Sequence, residues 1–170
     1  TIQKGGIALS DLERLGARLG ERGWHFQFLI GSDVLVDLQD RLPKLGCDVV
    51  IDHFAHVNAA AGMNQAPVRA LQSVIDSGRA WIKLTGGYRI SQLPPPHADA
   101  IPLVHDLVAR RPDRFVWGTD WPHVVLEGEV PDTTASLDLL LDWVPSEQIR
   151  KKILVDNPEV LYGFDPYPVG

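Results

Sequence analysis

The chain has a single cysteine, Cys47, and a single methionine, Met63, in 170 residues. One thiol excludes a disulfide within the chain and fits a reducing compartment. Cys47 precedes a predicted strand rather than following one, a poor place for a nucleophile, and reads as a small buried apolar residue. No run approaches the ~18 apolar residues of a membrane span, and no signal-peptide pattern is present. Positive charge is not in excess: 16 Lys and Arg stand against 22 Asp and Glu, a formal net charge of −6 without long single-sign runs. That balance argues against a nucleic-acid-binding surface. GxGxxG and GxxxxGK(S/T) are absent, no Ser or Cys sits in a nucleophile-elbow setting, and no closely spaced cysteine pair of the structural-zinc kind is present. Nucleotide binding, covalent serine or cysteine hydrolysis and a structural zinc are therefore disfavoured.

What is present is ordinary globular material, 45% hydrophobic and 22% charged, arranged as strands alternating with helices. Strands are predicted at residues 24–30, 48–53, 80–85 and 115–119. In the first, Trp24, Phe26, Phe28 and Ile30 point one way and His25, Gln27 and Leu29 the other. Helices are predicted from Ser10, with Glu13 completing a capping box and Gly23 closing it, and over 33–42, ended by Pro43. Others cover 67–77, with Pro at the first turn, 98–110, 133–143, 146–154 (Ser146 as cap) and 158–162 after Asn157-Pro158. Short connections between such units are the signature of a parallel α/β sheet. Residues 1–170 read as one domain, an α/β chain of the (β/α)8 TIM-barrel type. A closed barrel needs eight strands and typically ~250 residues. The chain is therefore expected to be the C-terminal two-thirds of a barrel, its N-terminal strands missing, or to complete itself by association as a homo-oligomer. That it starts at Thr1 favours the former.

The stretch 114–123 (RFVWGTDWPH) organises the rest. An apolar run, Phe115 to Trp117, ends in Gly118-Thr119-Asp120, which puts a carboxylate where a buried strand gives way to a loop. Such a placement is costly unless the acid is paired or used. His53 ends the second strand and Arg89 follows the third in Gly86-Gly87-Tyr88-Arg89. In a parallel sheet these ends share one edge, the edge where barrel active sites lie. Taken singly, a histidine after a strand is ordinarily a hydrogen-bonded structural residue, and Arg89 a surface one. Together they point to hydrolysis of an activated carbonyl. Asp120 serves as general base, His53 polarises the carbonyl directly or through a metal, and Arg89 offers a planar fork for a substrate carboxylate. His56 and His123, in adjoining loops, are secondary candidates, His25 shares a face with Gln27, and His97 and His105 read as structural or solvated.

The segments GWHFQFL, DVVIDHF, WIKLTGGYR, DRFVWGTDWPH and DNPEVLYGF resemble, in order and spacing, the amidohydrolase-related TIM-barrel hydrolases. The nearest group is that of 2-pyrone-4,6-dicarboxylate hydrolase, sulfomuconolactone hydrolase and the sugar lactonases. The resemblance implies a distorted (β/α)8 barrel and a hydrolase that opens a small carboxylated lactone with aspartate-activated water. It assigns Asp120 the activation of water, His53 carbonyl polarisation or metal ligation, and Arg89 the substrate carboxylate, with Tyr88 and His123 as further substrate-binding candidates. In metal-using members His53 and Asp120 would be ligands, so the cofactor is either one divalent metal such as zinc or none. The family's His-x-His pair on the first strand is absent, which puts isolated activity in doubt. Alternatives are a sugar-lactone isomerase or metal-dependent decarboxylase on the same fold, or an inactive binding or assembly module. The expected partner is a small-molecule substrate, with neither nucleic acid nor membrane, in the cytoplasm.

Overall fold

The computed structural model describes residues 7–124 and 126–165. Its four strands are β1 (Phe26–Phe28), β2 (Val49–Ile51), β3 (Ala80–Leu84) and β4 (Phe115–Trp117). They pair in parallel and in chain order, β1-β2-β3-β4. A doubly wound sheet reverses its order at a switch point, whereas sequential order is the winding of a barrel. The described strands thus form an open arc of the (β/α)-barrel type, as the spacing of apolar runs implies.

Among the described residues seven α-helices accompany the arc: α1 (Leu12–Gly20), α2 (Ser32–Leu38), α3 (Ala66–Asp76), α4 (Ile101–Arg110), α5 (Thr133–Trp143), α6 (Glu147–Lys151) and α7 (Asn157–Tyr162). Pro67 stands in the first turn of α3, and Ser146 caps α6 by accepting from the Ile149 amide at 3.4 Å. Asn157-Pro158 marks no break, however. A π-helical segment, Lys152–Asp156, joins α6 to α7, and the Asn157 amide donates to the Pro112 and Phe115 carbonyls at 2.9 and 2.7 Å. Two other expectations fail. A 3-10 turn, Leu9–Asp11, precedes α1, so Ser10 lies inside it and makes no cap. β1 is also shorter than its alternating pattern, leaving Trp24 64% exposed. Thr1 to Gly6 of the predicted lead-in lie outside the described residues.

Strand alternation divides the side chains between two faces. Val49, Ile51, Ile82, Leu84 and Phe115 face the helices and pack with Leu35, Leu71, Val74, Ile75 and Leu107, all buried. On the opposite, barrel-interior face Val50, Trp81 and Val116 form a smaller layer against which Leu161 of α7 packs. Burying a side chain of this size is worth ~1.5–3 kcal/mol, so the helix-facing layer holds the arc together. The interior face is left to carry polar groups above and below its apolar layer.

Candidate functional site

The site begins where the strands stop. After β2 the chain does not continue in right-handed geometry: His53, Phe54, Ala55 and His56 all have φ between 49° and 54°. Left-handed backbone costs a non-glycine residue ~1–2 kcal/mol. The surroundings offset that cost by burying Phe54 and Ala55 fully, Phe54 edge-on to Trp143 at 6.1 Å between ring centroids. The turn brings His53 and His56 into a parallel stack, 5.6 Å between centroids and 6° between planes. After β4, Asp120 and His123 are likewise left-handed, at φ 66° and 59°. Strained non-glycine backbone of this kind clusters at functional sites.

The loop after β3 needs its glycines. Gly86 has φ 59°, and a Cβ there would lie 3.0 Å from Asp120 Oδ2. A Cβ on Gly87 would meet the His97 ring at 2.4 Å and Trp143 at 3.0 Å. His97 therefore packs behind the loop, its Nδ1 2.8 Å from the Leu93 carbonyl, in the structural role expected of it.

This close approach delivers two side chains to one carboxylate oxygen. Arg89 Nε donates to Asp120 Oδ2 at 2.6 Å, and the Tyr88 hydroxyl makes a very short hydrogen bond to the same atom. His123 Nδ1 lies 3.1 Å from the Tyr88 oxygen, and Arg89 Nη2 donates to the Val124 carbonyl at 3.0 Å. Asp120 Oδ1 is free of these donors and faces His53 Nε2 at 3.4 Å. That is longer than a good hydrogen bond, so neither atom is committed to the other. On the far side of the imidazole, Thr85 Oγ1 stands 2.6 Å from His53 Nδ1. A hydroxyl donating to Nδ1 leaves the proton on Nε2, the tautomer that suits a carboxylate or a polarised carbonyl opposite.

Burial and partners set the ionisation. Burial alone would raise the Asp120 carboxyl, but the hydrogen bonds from Arg89 and Tyr88 and the charges of His53 and Arg89 outweigh it, and its pKa is lowered. Burial lowers His53 against the opposing charges of Asp120 and Asp52, and also lowers His56, with Arg89 adding to the effect. Burial and the hydrogen bond to Asp120 push the Tyr88 phenol up to about 12, so it remains a donor. The site therefore combines an ionised carboxylate with a neutral imidazole.

Asp120, His53 and Thr85 border a cleft of about 370 Å³, whose walls include Trp117, Trp121 and Tyr162. Its floor is a polar row that the motifs did not reveal: Gln27 Nε2 donates to Asp52 Oδ2 at 2.9 Å, and Lys83 Nζ pairs with Asp52 Oδ1 at 3.1 Å. The available signal was parity: Gln27 sits opposite Val50 in register, and Lys83 and Thr85 share the interior face with Trp81. His25 meets Tyr162 edge-on at 5.7 Å instead of reaching the site, and Cys47 is buried as expected.

As metal ligands, His53 and Asp120 form a pair, whereas a catalytic zinc takes three protein ligands. Among the described residues no three His, Cys, Asp or Glu side chains cluster around one point. The described residues do not by themselves make a metal site. No helix of the described residues is long and apolar enough to cross a membrane.

The Amidohydrolase family model matches residues 4–164. A 4-sulfomuconolactone hydrolase of Hydrogenophaga intermedia is 39% identical over 85% of this chain and 48% of its own length. A D-galactarolactone isomerase of Agrobacterium fabrum is 32% identical over 95% of this chain and 56% of its own. An Agrobacterium tumefaciens protein solved in its apo form superposes with a TM-score of 0.84 at 32% identity, over 96% of this chain and 58% of that one. The chain thus spans about half the length of the curated relatives it matches.

Proposed function

The chain belongs to the amidohydrolase family, and on that premise we propose that it carries the water-activating residues of a hydrolase that opens a small lactone. The observation that supports this most is the asymmetry of the Asp120 carboxylate: Oδ2 is held by Arg89 and Tyr88, and Oδ1 is left facing His53 across 3.4 Å. Water bound at Oδ1 gives up its proton to the carboxylate as it attacks the lactone carbonyl. His53 Nε2–H stabilises the oxyanion that develops. Collapse breaks the ring C–O bond, and the proton held by Asp120 passes to the departing oxygen, so water is divided between the two ends of the opened ring. A carboxylate with a lowered pKa is a weak base. What compensates is position: the acceptor is fixed before substrate arrives, and holding reactants in geometry supplies a large part of a barrier reduction.

A second reading keeps the substrate class and changes the reaction. The D-galactarolactone isomerase relative matches 95% of this chain, and in a lactone isomerase Asp120 and His53 would move a proton without adding water. The deciding experiment is pH-stat titration of the complete gene product against a lactone panel, with chelator and Asp120→Asn controls and NMR of the products. Proton release that vanishes in Asp120→Asn is the expected result. A rearranged lactone without proton release would replace hydrolysis by isomerisation.

A further inference from the structure

On the function proposed above, Asp120 works only while its carboxylate stays turned with Oδ1 toward the gap to His53. The residue sits in a loop past β4, so a partner outside that loop has to fix the rotation. Arg89 and Tyr88 both hold Oδ2, and the Tyr88 hydroxyl carries a direction. A phenol has one proton to give, and an ionised carboxylate only accepts. The Tyr88 proton therefore points at Oδ2, and toward His123 the Tyr88 oxygen can only accept. His123 Nδ1 stands 3.1 Å from that oxygen, where a bare nitrogen would set lone pair against lone pair. The imidazole proton of His123 is thus on Nδ1, the reverse of His53, whose proton the Thr85 contact leaves on Nε2. His123 is 6% exposed and tied to the turn that carries the acid, its backbone N–H donating to the Asp120 carbonyl at 2.7 Å. The Arg89 guanidinium lies over the Tyr88 ring, 5.2 Å from its centre.

We propose that His123 and Tyr88 are positioning residues that act on Asp120 as one directed relay, His123 Nδ1–H to the Tyr88 oxygen and the Tyr88 hydroxyl to Oδ2, and so decide which oxygen of the acid is left to activate water. This rests on the lactone-hydrolase reading and deepens it. Hydrogen bonds in series polarise one another, so the His123 contact strengthens the grip of Tyr88 on the carboxylate. The relay runs from the loop after β4 to the loop after β3 and back, and it holds the two loops in register at the acid. Two histidines of one site are thereby kept in opposite tautomers. His53 offers a proton from Nε2, and His123 keeps its own for Tyr88.

Nitrogen NMR of the complete gene product, isotopically labelled in histidine, reads the tautomers without turnover. At about pH 9, where a free imidazole is neutral, His123 should carry its proton on Nδ1, its signal assigned by its loss in His123→Asn. Tyr88→Phe deletes the acceptor and should release that proton to Nε2. A parent ring protonated on Nε2, or a ring indifferent to Tyr88→Phe, would overturn the relay. Kinetics tests what the relay does. Tyr88→Phe should lower kcat roughly 10- to 100-fold, the cost of a base left free to turn, with KM little changed. His123→Asn, whose amide N–H stands near the Nδ1 position and whose backbone tolerates φ 59°, should keep most of kcat. His123→Gly accepts the same φ without a donor and should lose as much as Tyr88→Phe. The double variant Tyr88→Phe/His123→Gly should be no slower than Tyr88→Phe alone, because one relay breaks once. Losses that multiply in the double variant would overturn the positioning role, as would an Asn variant as slow as the Gly one. A rise in KM with kcat intact in Tyr88→Phe would overturn it too, and make Tyr88 a substrate contact. Tautomers as expected, with no lactone opened, would leave the relay standing and sink only the hydrolysis reading.

Discussion

Two aspartates on this arc are dressed in nearly the same way and, on the function proposed above, do opposite things. Asp48, at the amino end of β2, accepts from Trp81 Nε1 at 2.9 Å and pairs with Arg79 at 3.4 Å and Arg114 at 3.5 Å, the Arg114 guanidinium lying 4.8 Å above the Trp81 ring. Asp120, past the carboxyl end of β4, is held by Arg89, Tyr88 and, more distantly, His53. Each has arginine and an aromatic donor. The difference lies in backbone and access. Asp120 sits at φ 66° beside residues that share its left-handed strain, whereas Asp48 leads into a regular strand. The partners of Asp120 converge on one oxygen and leave the other facing a neutral imidazole, whereas those of Asp48 engage both of its oxygens. Carboxylate plus arginine thus does not set the two apart; one oxygen left open at a cleft, on strained backbone, does. The division follows the rule that one end of barrel strands serves catalysis and the other stability.

Substitution breaks the comparison most sharply. Asp120→Asn should cut turnover roughly 10²- to 10⁴-fold, the contribution of a positioned base, with an unchanged circular dichroism spectrum. Asp48→Ala should do the reverse, leaving the Trp81 indole N–H without its acceptor at a cost of ~1–3 kcal/mol, read as a lower urea midpoint, with turnover per folded molecule unchanged. If Asp48→Ala lost activity while keeping its stability, the division between the two ends would be wrong.

A finer contrast lies within one loop. Gly86→Ala forces alanine to φ 59°, for ~1–2 kcal/mol, and puts its methyl 3.0 Å from Asp120 Oδ2. Misplacing a reacting group by about 1 Å costs up to ~10²-fold, so turnover should fall much further than stability. Gly87→Ala instead drives a methyl into His97 and Trp143 behind the loop. That overpacking should cost ~1–3 kcal/mol, with the larger effect on thermal midpoint. Identical profiles for the two alanines would mean that the loop moves as one body and that Gly86 has no privileged relation to the acid.

Much of this arrangement was legible in the sequence, and the reason is local. Phe115 to Trp117 followed by Asp120, the apolar run before His53, and Gly86-Gly87 before Tyr88-Arg89 each announce a strand end with its own residues. What those residues touch was not legible. Arg89 reads as a fork for a substrate, and nothing in Gly-Gly-Tyr-Arg says that Asp120, past the end of the next strand and 31 residues on, comes within 2.6 Å of it. The row Gln27–Asp52–Lys83 joins three strands, and its members look like ordinary polar positions until register aligns them. The left-handed run at His53 to His56 leaves no mark either, since Phe54 and Ala55 are not residues that favour positive φ. Tertiary burial imposes it.

The smallest expected effect is a matter of pH, and it sharpens the contrast between the two ends. Burial lowers His53 below its ordinary 6.5, so the unfolded chain binds that proton first. Its contribution to stability is full above 6.5 and declines as pH falls below that value toward the folded pKa. His56 acts in the same direction. Asp120, lowered from 3.8, contributes above 3.8 and loses that contribution only as pH drops through its folded value. Acidification from about pH 7 to about pH 5 therefore probes the histidines and leaves the carboxylate ionised. The urea midpoint should decline over that range, and His53→Gln, which has no proton to take up, should flatten the decline. Asp48→Ala should displace the whole curve downward and steepen it, because the Asp48 charge partly offsets the burial that lowers His25, and in that background His53→Gln should still flatten the decline. A His53→Gln curve as steep as that of the parent would mean that His53 is not held neutral by burial, and the Nε2–H donor inferred opposite Asp120 would lose its basis.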